Sequence, residues 1–300
     1  MKNWDKAAIL AVCIAITAVP VWLAVTILPE RRVSLTVDTV ADVINLFKKM
    51  GFDPQTSIQN DNLKFPRFFL RNLPRDLPVE PDPKKRKAVF VSIVLPHILD
   101  ANEQIRLDRR RLQRLHKFIA MGRDLRWRDQ QWLDELARTY RTSAGNTEEL
   151  IKRVDIIPPR LALAQAAQES GWGTSRFSQI GNALFGQHAP VGKGSMTAIR
   201  DAGVALKVFN NLQESVRDYM RNLNRHPAYR GFREIRADMR SQQNPLDDLK
   251  LVSSLSHYSE ERRIYVERLT VIMNLPEVRK ANHAKLATKK IFYLSSSDER

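Results

Sequence analysis

Cysteine occurs once in the 300 residues, at position 13, so no intrachain disulfide framework can hold this fold together. Histidine is nearly as scarce. His188, His226 and His257 have neither helical i,i+4 spacing to one another nor cysteine partners, which gives a zinc site little support. No Gly-rich phosphate loop, nucleophile elbow or dinucleotide fingerprint is present, so neither a metal nor an organic cofactor is expected. There is no internal repeat. Acid is short relative to base: 33 Asp and Glu stand against 49 Lys and Arg, a net charge of +16. Such a field attracts anionic polymers, whether nucleic acid, acidic lipid surface or cell wall, and charge alone does not choose among them.

The longest run without charge is Ala7 to Leu28, enough to span a bilayer at helical rise. Its length favours an uncleaved anchor over a cleaved leader, and Pro20 is compatible with a membrane helix. Lys2 and Lys6 precede the run and Arg31 and Arg32 follow it, so the basic flanks do not set its orientation. Val40, Val43, Ile44 and Phe47 then fit a short amphipathic helix. Residues 52–83 are proline-rich and read as an extended connector, laid on a folded surface by Phe65, Phe68 and Phe69. Residues 89–121 carry apolar side chains at helical spacing, as one helix or as two separated at Pro96. The arginines 106, 109, 110, 111 and 114 fall on the face expected to be exposed. Neither a recognition-helix motif nor a zinc-finger spacing accompanies them, so nucleic acid is not an expected partner.

Chemistry concentrates between Pro158 and Gly186. Pro158 and Pro159 suit a helix start, and the run Leu-Ala-Leu-Ala-Gln-Ala-Ala-Gln is strong helix former and almost wholly apolar, hence buried. Glu169 arrives in the last turn, and Ser170-Gly171-Trp172-Gly173 ends the helix. Unpaired carbonyls at a helix C-terminus and apolar neighbours (Trp172, Phe177, Leu184, Phe185) both disfavour an ionised carboxylate, so the Glu169 pKa should rise. A glutamate protonated near neutral pH is what a general acid requires. On composition alone, a solvated residue beside a helix cap is an equal reading.

The segments Gln165-Ala-Ala-Gln-Glu-Ser-Gly-Trp-Gly173 and Asn182-Ala-Leu-Phe-Gly186 resemble the signature of the bacterial glucosaminidase domain, glycoside hydrolase family 73, and within it the Bax-like proteins of Gram-negative bacteria. The likeness continues through Glu214–Met220, His226-Pro-Ala-Tyr229, Leu255-Ser-His-Tyr-Ser-Glu260 and Tyr265-Val266. It implies a mostly α fold: a lysozyme-like helical domain at residues 146–278 with a small β or irregular lobe. A helical region at 88–145, a connector at 33–87 and a membrane segment at 1–32 would precede it, and a basic tail at 279–300 would follow.

The resemblance implies a peptidoglycan hydrolase cleaving the β-1,4 bond after N-acetylglucosamine, with Glu169 as acid. The family places a second carboxylate, a glutamate, in the small lobe; here no glutamate lies between Gln187 and Asn211, and Asp201 is the one acid available. Asp201 as catalyst, Asp201 as turn residue with catalysis assisted by the substrate's acetamido group, and an inactive wall-binding protein with the same fold all stand as readings. Tyr258 matches a tyrosine that the family sets against the sugar. Trp172, Phe185, His188 and Tyr265 are candidate substrate contacts, and Asn182 is a candidate brace for the loop after Glu169. Together these place the protein at the inner membrane, single-pass, with its catalytic domain in the periplasm and glycan strands as its partner.

Overall fold

The computed structural model describes residues 37–60, 63–189, 195–197, 205–255, 262–288 and 292–294, of which 189, 195–197, 262 and 292–294 are described by backbone alone. The chain is mostly helical. In order come helix α1 (Val40–Lys49), strands β1 (Lys64–Phe65) and β2 (Phe68–Leu70), and helices α2 (Pro83–Ala120), α3 (Trp127–Thr139), α4 (Thr147–Arg153), α5 (Pro159–Ser170) and α6 (Arg176–Gly181). Strands β3 (His188–Ala189), β4 (Ser195–Thr197) and β5 (Ala205–Lys207) follow. Helices α7 (Leu212–Arg225), α8 (Arg230–Ser241), α9 (Asp248–Ser253) and α10 (Arg262–Met273) and strands β6 (Lys285–Leu286) and β7 (Phe292–Leu294) complete it.

Helix α5 lies at the centre. Leu161, Ala162, Leu163, Ala164 and Ala166 are each fully buried, because their small and branched side chains let α2 and α10 close directly onto the helix. Gly171, at φ +57°, terminates it with a left-handed cap. Helix α2 runs unbroken for 38 residues, about 57 Å at helical rise. Asp82 Oδ1 accepts from Lys84 N to start it, and Pro83 occupies its first turn. Pro96 does not divide it: residues 88–99 are buried on every side, and that packing outweighs the one backbone bond that proline removes. His97, also buried, bonds the Leu70 carbonyl through Nε2 at 3.0 Å and ties β2 to α2; burial pushes its pKa down to about 4.

The proline-rich stretch, expected to lie on a folded surface through its phenylalanines, packs into the core. Phe52, Phe65 and Phe68 are buried with Phe47 in a set of tilted and edge-on rings 4.7–5.5 Å apart. Strand β1 pairs in parallel with β6, and β2 in parallel with β7, so chain beyond residue 284 is stitched to the N-terminal part of the fold. Arg67 clamps the junction, donating to the Ala287 carbonyl at 2.9 Å and pairing with Glu103 at 2.6 Å. All described residues belong to one unit spanning 35–300.

The segment between α4 and α5 has no regular structure, and buried side chains satisfy its backbone. Asn102 bonds both the carbonyl and the N–H of Ile157, at 2.7 and 3.1 Å. Asn224 donates to the Asp155 carbonyl at 2.9 Å. Arg236, fully buried, donates to the carbonyls of Lys152, Asp155 and Ile156 and to Asn224 Oδ1. Arg109, expected on the exposed face of α2, instead bonds the Ile151 and Val154 carbonyls and lies 3.6 Å from the Asp155 carboxylate. The spacing that put it on a solvated face did not anticipate α4 docking there.

Strands β3, β5 and β4, in that order, form one antiparallel sheet, the small lobe that the sequence suggested. Its base is fixed to α7 by Asp218, which accepts from Lys207 Nζ at 2.8 Å and Gln187 Nε2 at 3.0 Å. Among the described residues no helix is long and apolar enough to cross a membrane; the apolar run at 7–28 lies outside them.

Candidate active site

Glu169 leaves the core at the last turn of α5, partly buried, with the loop at Gly186 against it. A Cβ built on Gly186 would stand 3.3 Å from Glu169 Oε2, and Gly186 sits at φ +60°. Any larger residue there would be strained and would press on the carboxylate. Burial is the dominant influence on Glu169 and pushes its pKa up from 4.5 to about 7; a hydrogen bond from Tyr265 acts in the opposite sense. The tyrosine hydroxyl donates to the charged form and steadies it, but desolvation wins.

That hydroxyl belongs to a directed chain. Tyr219 Oη donates to Gln165 Oε1, Gln165 Nε2 donates to Tyr265 Oη at 2.9 Å, and the Tyr265 proton is left to point at Glu169. All three relay residues are buried: Gln165 at 0%, Tyr219 at 1% and Tyr265 at 5% exposure. They come from α5, α7 and α10, so three helices must be in register for the chain to exist. Burial raises both tyrosines, Tyr219 and Tyr265, far above the ordinary phenol range, with the Glu169 charge adding to it. Tyr229 also lies in the electrostatic reach of Glu169 and is pushed up to about 12, again mainly by burial. These phenols therefore act as neutral hydrogen-bond donors and not as acids at physiological pH.

Of the residues expected at the site, Tyr265 is brought to Glu169. Phe185 is 1% exposed and stacks at 3.8 Å on Tyr219, so its ring faces the core in place of a sugar. The reason is that the Asn182–Gly186 turn folds inward under α7. Trp172 packs edge-on against Phe90 with Lys87 Nζ 5.2 Å above its ring. Asn182, in a left-handed conformation at φ +51°, braces its loop by donating to Asn72 Oδ1 and the Phe209 carbonyl. His188 is exposed in β3, paired with Leu206. Asp201 and Tyr258 lie outside the described residues.

Gln165, Tyr219, Tyr229 and Gly186 were not assigned roles from sequence. One signal was available. An amide in an otherwise alanine and leucine helix, and a phenol on the apolar face of α7 among Leu212, Val216, Met220 and Leu223, both demand buried partners. A cavity of about 530 Å³ near the α8–α9 junction, lined by Glu234, Asp238, Asp247 and Lys250 among others, includes none of the site residues. Among the described residues no group of His, Cys, Asp and Glu is placed to hold a metal.

Two variants test this geometry. Tyr265→Phe removes the donor that favours the carboxylate, so the Glu169 pKa should rise above 7 and the alkaline limb of a pH–rate profile should move to higher pH. Gly186→Ala should cost about 1–2 kcal/mol in stability through its left-handed backbone, and should also lower activity. Gly51→Ala, at φ +78° with nothing within 4 Å of the new Cβ, should carry a similar stability cost with activity intact. Denaturant titrations beside turnover assays separate the two effects.

A family model described as Glucosaminidase, mannosyl-glycoprotein endo-β-N-acetylglucosaminidase, matches residues 144–276. The chain is 33% identical over 198 residues to Protein bax of Escherichia coli (strain K12), covering 63% of this chain and 69% of that one. Among solved structures it is similar to the catalytic domain of the autolysin Auto from Listeria monocytogenes at 16% identity, with a TM-score of 0.33, over 57% of this chain and 96% of that one. By its relative and by the matched domain, this chain belongs to the bacterial glucosaminidase family, glycoside hydrolase family 73, as a Bax-like member.

Proposed function

We propose that the protein is an endo-β-N-acetylglucosaminidase acting on peptidoglycan, with Glu169 as the general acid that protonates the leaving glycosidic oxygen. The observation that carries this reading is the Glu169 carboxyl, part-buried at the end of an apolar helix with a neutral phenol aimed at it, where burial raises its pKa to about 7. In the acid step the Glu169 O–H moves to the leaving oxygen, and the carboxylate that remains accepts the Tyr265 hydroxyl proton as a hydrogen bond. Stabilisation of the oxocarbenium-like centre falls to Asp201 or to the substrate's own acetamido group. Tyr258 would position that group or a water. The net charge of +16 suits a wall whose stem peptides carry free carboxylates. The apolar run at 7–28 is proposed as a single-pass anchor in the inner membrane, with the catalytic domain in the periplasm.

A second reading, a wall-binding protein with little or no turnover, is favoured by one sequence observation: no glutamate stands between Gln187 and Asn211. Zymography on purified peptidoglycan, with reducing-end analysis of released fragments, decides between them. Wild-type lysis with new N-acetylglucosamine reducing ends supports the hydrolase. If Asp201→Asn retains that lysis, catalysis is assisted by the substrate, and if it loses lysis the aspartate serves directly. Sedimentation with peptidoglycan but no lysis establishes the binder.

A further inference from the structure

Among the described residues, the end of α2 and the start of α3 gather exposed apolar side chains and cations in one place. Every residue of 117–124 and 126–128 is exposed. Within that span Trp127 is 69% exposed, Met121 67%, Phe118 44% and Ile119 40%. Four large apolar side chains in one short exposed stretch, from the last turn of α2 to the first residue of α3, have no internal reason to face water, since α2 buries only Leu112 and Leu115 beyond Ile105. The same stretch carries Lys117, Arg123, Arg126 and Arg128, with Arg114 one turn earlier, against the acids Asp124 and Asp129. Asp129 is already engaged by Arg111 at 2.8 Å and Arg126 at 3.4 Å. The surface is therefore apolar at its tips and positive between them.

We infer that this helix–loop–helix tip is an interfacial element that docks on an acidic lipid bilayer surface, sinking Phe118, Met121 and Trp127 to headgroup depth while the arginines contact lipid phosphates. The apolar residues select this occupant. A nucleic acid or a wall glycan would satisfy the cations, but neither would take Met121 and Ile119 out of water. A bilayer interface accepts both at once, and tryptophan in particular favours that boundary. Lys117, Arg114, Arg123 and Arg128 add attraction to anionic headgroups alongside the apolar insertion, which together favour reversible attachment. The site is distinct from Glu169, which lies at the far end of α5 in sequence and uses none of these residues. Combined with the proposed anchor at 7–28, such a contact would hold the domain against the membrane and limit which glycan strands it meets.

The test uses the full chain with Cys13→Ser, and Met121→Cys carrying an environment-sensitive fluorophore. The protein is mixed with preformed lipid nanodiscs of phosphatidylcholine alone or with added phosphatidylglycerol. The expected result is a blue shift and a rise in emission of about twofold or more on anionic discs only, with quenching by spin-labelled lipid, as the probe enters the interface. The same probe at Gln243→Cys, an exposed loop position, should stay in water throughout. Arg123→Glu with Arg126→Glu and Arg128→Glu should return the signal to the phosphatidylcholine level. Phe118→Ser with Ile119→Ser and Trp127→Ser should abolish probe burial while retention on heparin persists. A probe that remains solvated on both lipids overturns the inference. So does an anionic response that survives the serine variant, which would make the tip a plain polyanion site, or equal burial on neutral discs.

Discussion

Glu169→Gln should lower hydrolysis of peptidoglycan by about 10²–10⁴-fold, the contribution of a positioned general acid, while binding of glycan strands is retained. Gln keeps the shape and still accepts the Tyr265 hydrogen bond, so the loss isolates the proton. The same variant makes a stability prediction whose sign is fixed by the raised pKa. A native carboxyl that titrates at about 7 rather than 4.5 binds its proton more tightly folded than unfolded. Its stabilising contribution is complete below about pH 4.5 and is lost as pH rises through 7. At pH 8 the ionised, part-buried carboxylate costs up to about 3 kcal/mol. Glu169→Gln should therefore be more stable than wild type at pH 8, with the difference closing towards pH 5. Thermal or denaturant unfolding at the two pH values, beside zymography, checks both halves. A variant that loses activity without gaining stability at high pH would place the glutamate in water and remove its claim to be the acid.

Arg236→Met carries the second large effect. The guanidinium is fully buried, donates to four oxygens within 3.2 Å and faces Asp155, whose carboxylate also pairs with Arg240 at 2.9 and 3.1 Å. Burial lowers the Arg236 pKa to about 10, so it remains charged at neutral pH. Removing one member of such a cluster strands the others, and a loss of about 3–5 kcal/mol is expected. Arg236→Lys should recover only part of it, because one ammonium cannot replace a fork that spans the end of α4 and the irregular segment after it. Asp155 gives the matching pH signature. Burial raises its pKa, but Arg236, Arg240 and Arg109 together outweigh burial and hold it below 3.8. Its contribution is present above that value and disappears as pH falls through the depressed one. The clamp also sets where α5 begins, so the destabilised variant should lose activity in parallel with folding and show an unshifted pH profile in the fraction that remains folded.

The helix that carries the candidate acid was legible in the chain itself. Two prolines at its start, a glycine at its stop and an apolar run between them are local instructions, and they place one carboxylate at the edge of the core whatever else the fold does. The same local facts allowed either a raised pKa or a solvated carboxylate; burial, which decides for the raised value, comes from elements packed across the chain. The family signature is read from contiguous residues and was legible for that reason.

Other features had no local expression. Pro96 leaves one helix or two as readings, and α2 continues, because packing on all sides by elements remote in sequence outweighs one lost bond. The phenylalanines of the proline-rich stretch read as contacts to a folded surface and are buried there, but its two short strands pair with chain about 220 residues later; no periodicity encodes a partner that far away. Arg109 looks like a solvated charge until α4 docks on α2 and Arg236 and Arg240 of α8 join it around Asp155. The Tyr219–Gln165–Tyr265 relay needs three helices in contact before any of its bonds exists. Sequence by itself determined the family and which helix carries the candidate carboxylate, because those depend on neighbours along the chain. Tertiary structure alone decided what surrounds the carboxylate and which charges are buried, because those depend on neighbours across it.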